Sequence, residues 1–430
     1  MSLISRRSFV KTSTASVTLS CAHHSIAQTN PTHPLETHVP CRQITFPPGF
    51  HWFGYYDKRE FDSTNTCVLS NRVGFEGRSP TPDDAIDVGY IDLKRNDTWV
   101  PLGTSRAWGW QQGCMLQWVG TTGKTVLWND RDGDRFISRL LNVETGHQKT
   151  LPMPIYTVAP DGSFGLSADF RRINNLRPGY GYSGLADPYV HDRAPDASGI
   201  WKIDFKTGET HLILSLAQVA AIPWPDGKRH TSAWHYFNHL LINPTGNRFV
   251  FLHRYRPVFH PQTLRFEGGF VTRMLSANVD GSDLFVLDPS GHTSHFIWDD
   301  ATHVTMWTKP TDNPVGFYQM TDRTDQVVPV GSGVMTANGH NTNLPAPYQN
   351  WILNDTYPSR NGRRQTVYLY NRSTQKKILL GHFPSPAQYS GEWRCDTHPR
   401  SSNNGHFVVI DSPHSGGRQL HLLDIRAVIQ

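Results

Sequence analysis

Helix signals are nearly absent from this chain of 430 residues. The best candidate, residues 215–221, is short and has no convincing 3.6-residue period, which leaves little room for a helix bundle or a doubly wound α/β fold. No apolar run is long enough to span a bilayer as a helix. Charge is sparse as well, at 18% of residues, with a formal balance of +5. Arg6, Arg7 and Lys11 lie in a segment expected to be removed, which leaves 38 basic against 36 acidic residues. A balance so near neutrality excludes capture of nucleic acid or a membrane surface by overall charge. Cysteine is scarce: beyond Cys21, only Cys41, Cys67, Cys114 and Cys395 occur, scattered along the chain. Two disulfides could form in an oxidising compartment, and Cys41 with Cys67 is one pairing left open. Cys114, in an apolar strand, reads as a small buried hydrophobe. There is no GxSxG elbow, no phosphate-binding loop and no GxGxxG after a strand, so three common catalytic frameworks have no anchor here.

What is present begins at the N-terminus. Ser5-Arg6-Arg7-Ser8-Phe9-Val10-Lys11 resembles a twin-arginine export signal, followed by a weakly apolar stretch and a small-x-small cleavage site at Ser25-Ile26-Ala27. The expected organisation is an export signal over 1–27, a linker or first-strand segment over 28–45, and one domain over 46–430. The mature protein is then expected in the periplasm or outside the cell. Twin-arginine export carries folded proteins, often with a metal already loaded.

The rest of the chain repeats one phrase seven times: an alternating apolar strand, a polar or glycine turn, and a second strand. The copies lie at 90–103, 139–152, 201–214, 274–288, 318–331, 368–381 and, truncated, 420–429. Successive copies start about 44 to 73 residues apart, the range of a propeller blade with insertions. The runs 157–170, 239–254, 295–308 and 397–411 read as a further strand–turn–strand between copies. Two hairpins per unit give four-stranded blades. One hairpin cannot bury its apolar face, but a closed ring of them can. The expectation is an all-β, seven-bladed β-propeller with any functional site in the axial funnel.

Three clusters carry candidate chemistry. Cys395 and His398 are spaced C-x-x-H on a loop that Pro399 stiffens, a spacing able to grip a borderline-soft cation, with zinc favoured over manganese. His340 and His295 precede the innermost strands of earlier blades, and such positions converge on the axis. The competing view is that each histidine packs within its own blade. The second cluster joins His235, His239, His253, Arg254 and Arg273. Arginine's planar fork suits carboxylate or sulfate, although a rim ion pair would use it equally well. The third is rich in aromatics and amides: Tyr55, Tyr56, Trp110, Gln111, Gln112, Arg177, Tyr180 and Tyr182. Flat aromatic faces beside amides suit sugar rings, and a tyrosine can act as a proton donor; packing between blades is the plain alternative.

From residue 235 onward the chain resembles the propeller polysaccharide lyases, above all the oligogalacturonate lyases, with the propeller-type ulvan lyases as relatives. The stretches that carry the resemblance are HYFNHLLINPTGNRFVFLHR at 235–254, TRMLSANVDGS at 272–282, TSHFIW at 293–298, GHNT at 339–342 and CDTHPR at 395–400. It implies His295 as base, Arg273 as its assistant, and His340, Cys395 and His398 as ligands of a divalent metal. Cys395 stands where that family carries an amide ligand, and Arg400 where it carries a second C-terminal histidine. In the ulvan lyases the working histidines lie in early blades, whereas residues 109–118 and 127–136 contain none here. The loop 177–182 (RPGYGY) still offers Tyr180 and Tyr182, and His235 is a third candidate proton donor. The expected activity is cleavage of an acidic oligo- or polysaccharide by β-elimination. Two other readings remain: a non-catalytic carbohydrate-binding propeller and a protein-interaction propeller with a structural zinc.

Overall fold

The computed structural model describes residues 34–429. The twin-arginine segment and its cleavage site lie outside the described residues. Seven antiparallel sheets follow one another along the chain as the blades of a β-propeller. Blade 1 comprises Phe50–Trp52, Cys67–Val73, Ile86–Asp92 and Thr98–Ser105, in order from the axis outward. The repeated phrases are the outer hairpins. Their turns are written in the sequence: Asp92, Asn142, Asp204 and Asn371 each end a third strand and accept hydrogen bonds from the backbone N–H groups two and three residues on. These short acceptors stabilise the turn locally, which is why the repeat favours Asp or Asn there.

The truncated last copy has a structural reason. Blade 7 holds Arg400–Ser401, Phe407–Ser412 and Gln419–Asp424, and its fourth strand is Cys41–Gln43 from the other end of the chain, with Cys41 opposite Leu423 and Gln43 opposite His421. Glu36–Thr37 adds a fifth strand to blade 6. A second clasp joins the ends: the Arg400 guanidinium, fully buried in blade 7, pairs with Glu60 at 2.9 Å and Asp411 at 2.8 Å. The four described cysteines are unpaired thiols, Cys41 and Cys67 included. No helix of the described residues is long and apolar enough to cross a membrane.

The widest repeat spacings correspond to insertions. Between the second and third strands of blade 3, Asp169 caps a helix at Phe170–Leu176, and the loop to Tyr182 follows. Blade 4 carries an added hairpin, Val258–His260 with Arg265–Glu267. The segment read as the best helix candidate forms one turn, Leu216–Ala220, capped by Ser215.

Several buried histidines make the fold acid-sensitive. Burial lowers His51 and His421 to about 3, and His235 and His414 to about 4. In each case the folded value lies below the unfolded one near 6.5, so the unfolded chain takes up protons first. Stability is full above that value and falls by about 1.4 kcal/mol per pH unit per histidine as pH drops toward the folded value. Thermal melts should therefore show a lower midpoint at pH 5 than at pH 7. Equal midpoints would contradict the burial of neutral imidazoles.

Candidate metal and active site

Irregularities in the innermost strands turn side chains toward the axis. In blade 1, Gly54 (φ 123°) directs the chain so that Tyr55 and Tyr56 follow; a Cβ there would lie 2.8 Å from the Gln112 backbone. In blade 4, the register of Trp234–Ile242 shifts between Asn238 and Leu241, and His239 adopts φ 52°. His295, His340 and His398 stand just before the innermost strands of blades 5, 6 and 7, and His398 adopts φ 37°. Left-handed backbone at non-glycine residues recurs at functional sites. The rings meet: His295 to His340 is 4.1 Å between centroids, His340 to His398 is 4.2 Å, and Tyr55 lies 5.0 Å from His239 and 5.1 Å from His398.

His340, Asp396 and His398 each place one potential ligand atom within 4.8 Å of the others, and all three residues are buried. His340 Nε2, His398 Nε2 and Asp396 Oδ1 have no hydrogen-bond partner among the described residues. Three buried polar atoms left unpartnered in one such group would be costly without a cation; the donor set of two imidazoles and a carboxylate fits a divalent transition metal. The surroundings orient these groups. The Asp355 carboxylate accepts from His340 Nδ1 at 2.9 Å, from the His340 and His398 backbone N–H groups at 2.7 and 3.2 Å, and from Thr397 Oγ1 at 2.6 Å. With its Nδ1 proton held there, His340 presents the Nε2 lone pair. Arg394 donates through Nε to Asp396 Oδ2 at 2.7 Å and through Nη2 to Tyr180 Oη at 2.7 Å.

Beside this centre opens a cavity of about 300 Å³ lined by His295, His239, Tyr180, Tyr357, Arg177 and Arg254, among others. His295 Nδ1 donates to Asn338 Oδ1 at 3.0 Å, and Asn338 Nδ2 donates to Ser294 at 3.1 Å. That network leaves His295 Nε2 as the basic atom; the Tyr357 hydroxyl lies 3.3 Å away. Burial, then the neighbouring His340, hold His295 well below the usual imidazole range, so it is neutral at pH 7. Burial pushes the Tyr180 phenol up, but Arg394 and Arg177 outweigh it and bring it below the ordinary phenol value. Gln112 accepts from Tyr156 Oη at 2.9 Å, and its amide nitrogen is 3.5 Å from His239 Nδ1.

Other expected site residues stand elsewhere. Cys395 is not in the ligand group; its neighbour Asp396 is. Asp396 and His398 share the ligand group, while Cys395 is buried apart from it, its carbonyl accepting from Gln365 Nε2 at 2.7 Å. Burial pushes the Cys395 thiol far up, which keeps it protonated. Arg273 does not assist His295. Its Nη atoms donate to the carbonyls of Val219, Ile222 and Pro223, and its Nε donates to His253. Strand parity decides: Arg273 pairs across the sheet with His253, whereas Arg254 pairs with Thr272 on the face that lines the cavity. His235 is held between His253 and the His230 carbonyl. Tyr182 is buried and hydrogen-bonds with Asn129, and its ring stacks on Phe170. Trp110 packs against Trp52 and Trp108 in the core, and Gln111 tethers the Glu392 and Arg394 carbonyls. Tyr56 bonds both to the N–H and to the carbonyl of Phe296, and so supports the floor beneath His295. Arg400 is the ring clasp, with no ligand role. The sequence reading missed Asp355, Tyr357, Arg394 and Asp396. The i, i+2 pair Asp396-x-His398 was the signal available for the last.

An oligogalacturonate lyase in complex with manganese is similar over 90% of this chain and 93% of its own, with a TM-score of 0.63 and 13% identity. An oligogalacturonate lyase from Vibrio parahaemolyticus is similar over 91% and 95%, with a TM-score of 0.61 and 14% identity. The β-propeller domain of the trilobed protease from Pyrococcus furiosus, with an open velcro topology, gives a TM-score of 0.50 at 10% identity, over 87% of this chain and 96% of its own. At these identities the likeness is one of fold. No protein-family model matches the sequence, and no curated protein matches it either.

Proposed function

We propose that this protein is an exported lyase that cleaves a uronate-containing oligo- or polysaccharide by β-elimination, with a divalent metal held by His340, Asp396 and His398. One observation carries the reading: a neutral histidine with a fixed basic nitrogen stands between a three-ligand metal centre and a cavity with two arginines and no carboxylate. The fold likeness to two oligogalacturonate lyases, one in complex with manganese, supports it. With Asp396 in place of the thiolate, the expected preference for zinc loses its basis; two imidazoles and a carboxylate serve zinc or manganese alike.

In the proposed reaction, His295 Nε2 removes the weakly acidic C5 proton of the uronate. The C5–H electron pair forms the C4=C5 double bond, and the C4–O4 bond breaks. Tyr180 or Tyr357 returns a proton to the departing O4, since both tyrosines line the cavity. A bound divalent ion would supply neutralisation of the uronate carboxylate, which makes C5 more acidic. Arg177 and Arg254 attract the anionic chain, and its charge raises the basicity of His295. Three residues, His340, Asp396 and His398, would hold the ion, which would leave room for a sugar oxygen; a closed structural site would need a fourth protein ligand. Export through the twin-arginine route, read from residues 5–11, belongs to this proposal.

The test is incubation of the metal-loaded protein with pectate, ulvan and glycosaminoglycan fragments while the ultraviolet absorbance of the unsaturated product is followed. Absorbance should rise on at least one polymer. Silence on all of them, with metal bound, would refute the lyase reading.

A further inference from the structure

Most buried arginines in this fold have an obvious counter-charge. Arg172 pairs with Asp187, Arg248 with Asp322, Arg400 with Glu60 and Asp411, and Arg418 with Glu76, and half-buried Arg394 pairs with Asp396. Arg256 instead donates to backbone carbonyls, and Arg273 to backbone carbonyls and the His253 ring. Arg254 and Arg177 have neither solution. Arg254 is 4% exposed, its Nε donates to Thr272 Oγ1 at 2.9 Å, and its Nη1 is buried without a partner. Arg177 has a buried, unpartnered Nε, and neither arginine makes an ion pair among the described residues. Both guanidiniums lie against one ring: Phe270 is 4.7 Å from Arg177 and 4.6 Å from Arg254. Two like charges against one ring repel each other, and no Asp or Glu lines the cavity they share. Such an arrangement persists when the missing anion is the ligand.

We propose that Arg177 and Arg254 form a second anion subsite, distinct from the His340–Asp396–His398 centre, so that the ligand carries acidic groups on two successive sugar units. This rests on the reading of the cavity as a saccharide site. His295 joins the two parts, since its ring packs on His340 and it also lines the arginine cavity. The first acidic group would face the metal centre, and the second would enter the arginine fork. Cation–π contact with Phe270 holds both guanidiniums in place, and their planar donors match the oxygens of a carboxylate or a sulfate ester. A neutral sugar in this position would leave both charges unpaired, so the subsite selects for consecutive acidic units over isolated ones.

The experiment uses inorganic sulfate as the probe, titrated into the full-length protein in EDTA against chloride of matched ionic strength, with tryptophan fluorescence as the readout. Saturable sulfate binding is expected. Arg254→Met and Arg177→Met should each raise the apparent Kd about tenfold or more, the loss of one charge-assisted hydrogen bond. Arg177 is half-buried, so its variant remains informative if the Arg254 variant fails to fold. Competition by digalacturonate would identify the natural group as a carboxylate, and competition by a sulfated disaccharide alone would identify a sulfate ester; either supports the subsite. Absent sulfate binding, or binding unchanged in folded Arg177→Met protein, overturns it. Because the titration needs neither metal nor turnover, intact sulfate binding in a protein inactive on every polymer would count against the lyase reading alone, and the reverse pattern against the subsite alone.

Discussion

Replacing His295 with alanine lowers turnover by about 10²- to 10⁴-fold, the usual contribution of a positioned general base, and leaves metal binding intact. The geometry separates these effects. His295 lies beside the metal group and makes no bond to its three ligands; its own partners are Asn338 and Tyr357. Removing the ring takes away the only imidazole in the cavity whose lone pair is fixed by a donor on the opposite nitrogen. His239 does not replace it, because its Nδ1 neighbours Gln112 and its ring stacks on Tyr55. Substrate affinity should change little, since the arginines and aromatics remain. The measurement is steady-state absorbance of the unsaturated product: a fall in kcat with KM within a few fold supports the assignment. A fully active His295→Ala protein would transfer the base to another residue. A wild-type protein that binds acidic saccharide without turning it over would favour the carbohydrate-binding alternative.

Arg400→Met destabilises the fold by about 3–5 kcal/mol, the cost of breaking a buried ion pair from one side. Glu60 and Asp411 are both buried, and each loses its guanidinium partner. Glu60 belongs to blade 1 and Asp411 to blade 7, so the change acts on ring closure itself. It also removes the guanidinium that donates to the His398 carbonyl, so metal affinity should fall along with stability. Replacing Arg400, Glu60 and Asp411 together by apolar residues of similar size should recover much of the lost stability, because no unpaired charge then remains. Denaturant unfolding at pH 7 checks both. A single variant within 1 kcal/mol of wild type would show that the triad does not fasten the ring.

The architecture was legible because each blade repeats a local code. The Asp or Asn that caps an outer turn recurs in blades 1, 2, 3 and 6, the strands alternate along the repeats, and such signals survive without knowledge of distant contacts. Ring closure by Cys41–Gln43 was harder to see: three residues carry no period, and the pairing partner lies at the other end of the chain. The Arg400–Glu60 clasp, 340 positions apart in sequence, is invisible to any local reading for the same reason. In the site, His295, His340 and His398 were findable because each stands just before an innermost strand, and those positions meet at the axis. Trp110 and Tyr182 were drawn into the core, and near the site side-chain direction decided the rest. Arg273 sits one residue from Thr272, which faces the site, and a strand sends neighbouring side chains to opposite faces; Cys395 likewise adjoins the ligand Asp396, in a loop with no strand period. Sequence spacing places such residues near a site but does not say which side they take. Asp355 and Arg394 act by orienting other residues, and that role shows only in hydrogen bonds.

The account depends most on the pairing of His340, Asp396 and His398 around one cation. Calorimetric titration of the chelator-stripped protein with manganese or zinc tests this directly. One ion per chain should bind, with binding lost in Asp396→Ala and His398→Ala and unchanged in Cys395→Ser. Loss of binding in the cysteine variant, with the aspartate variant unaffected, would contradict the site described here.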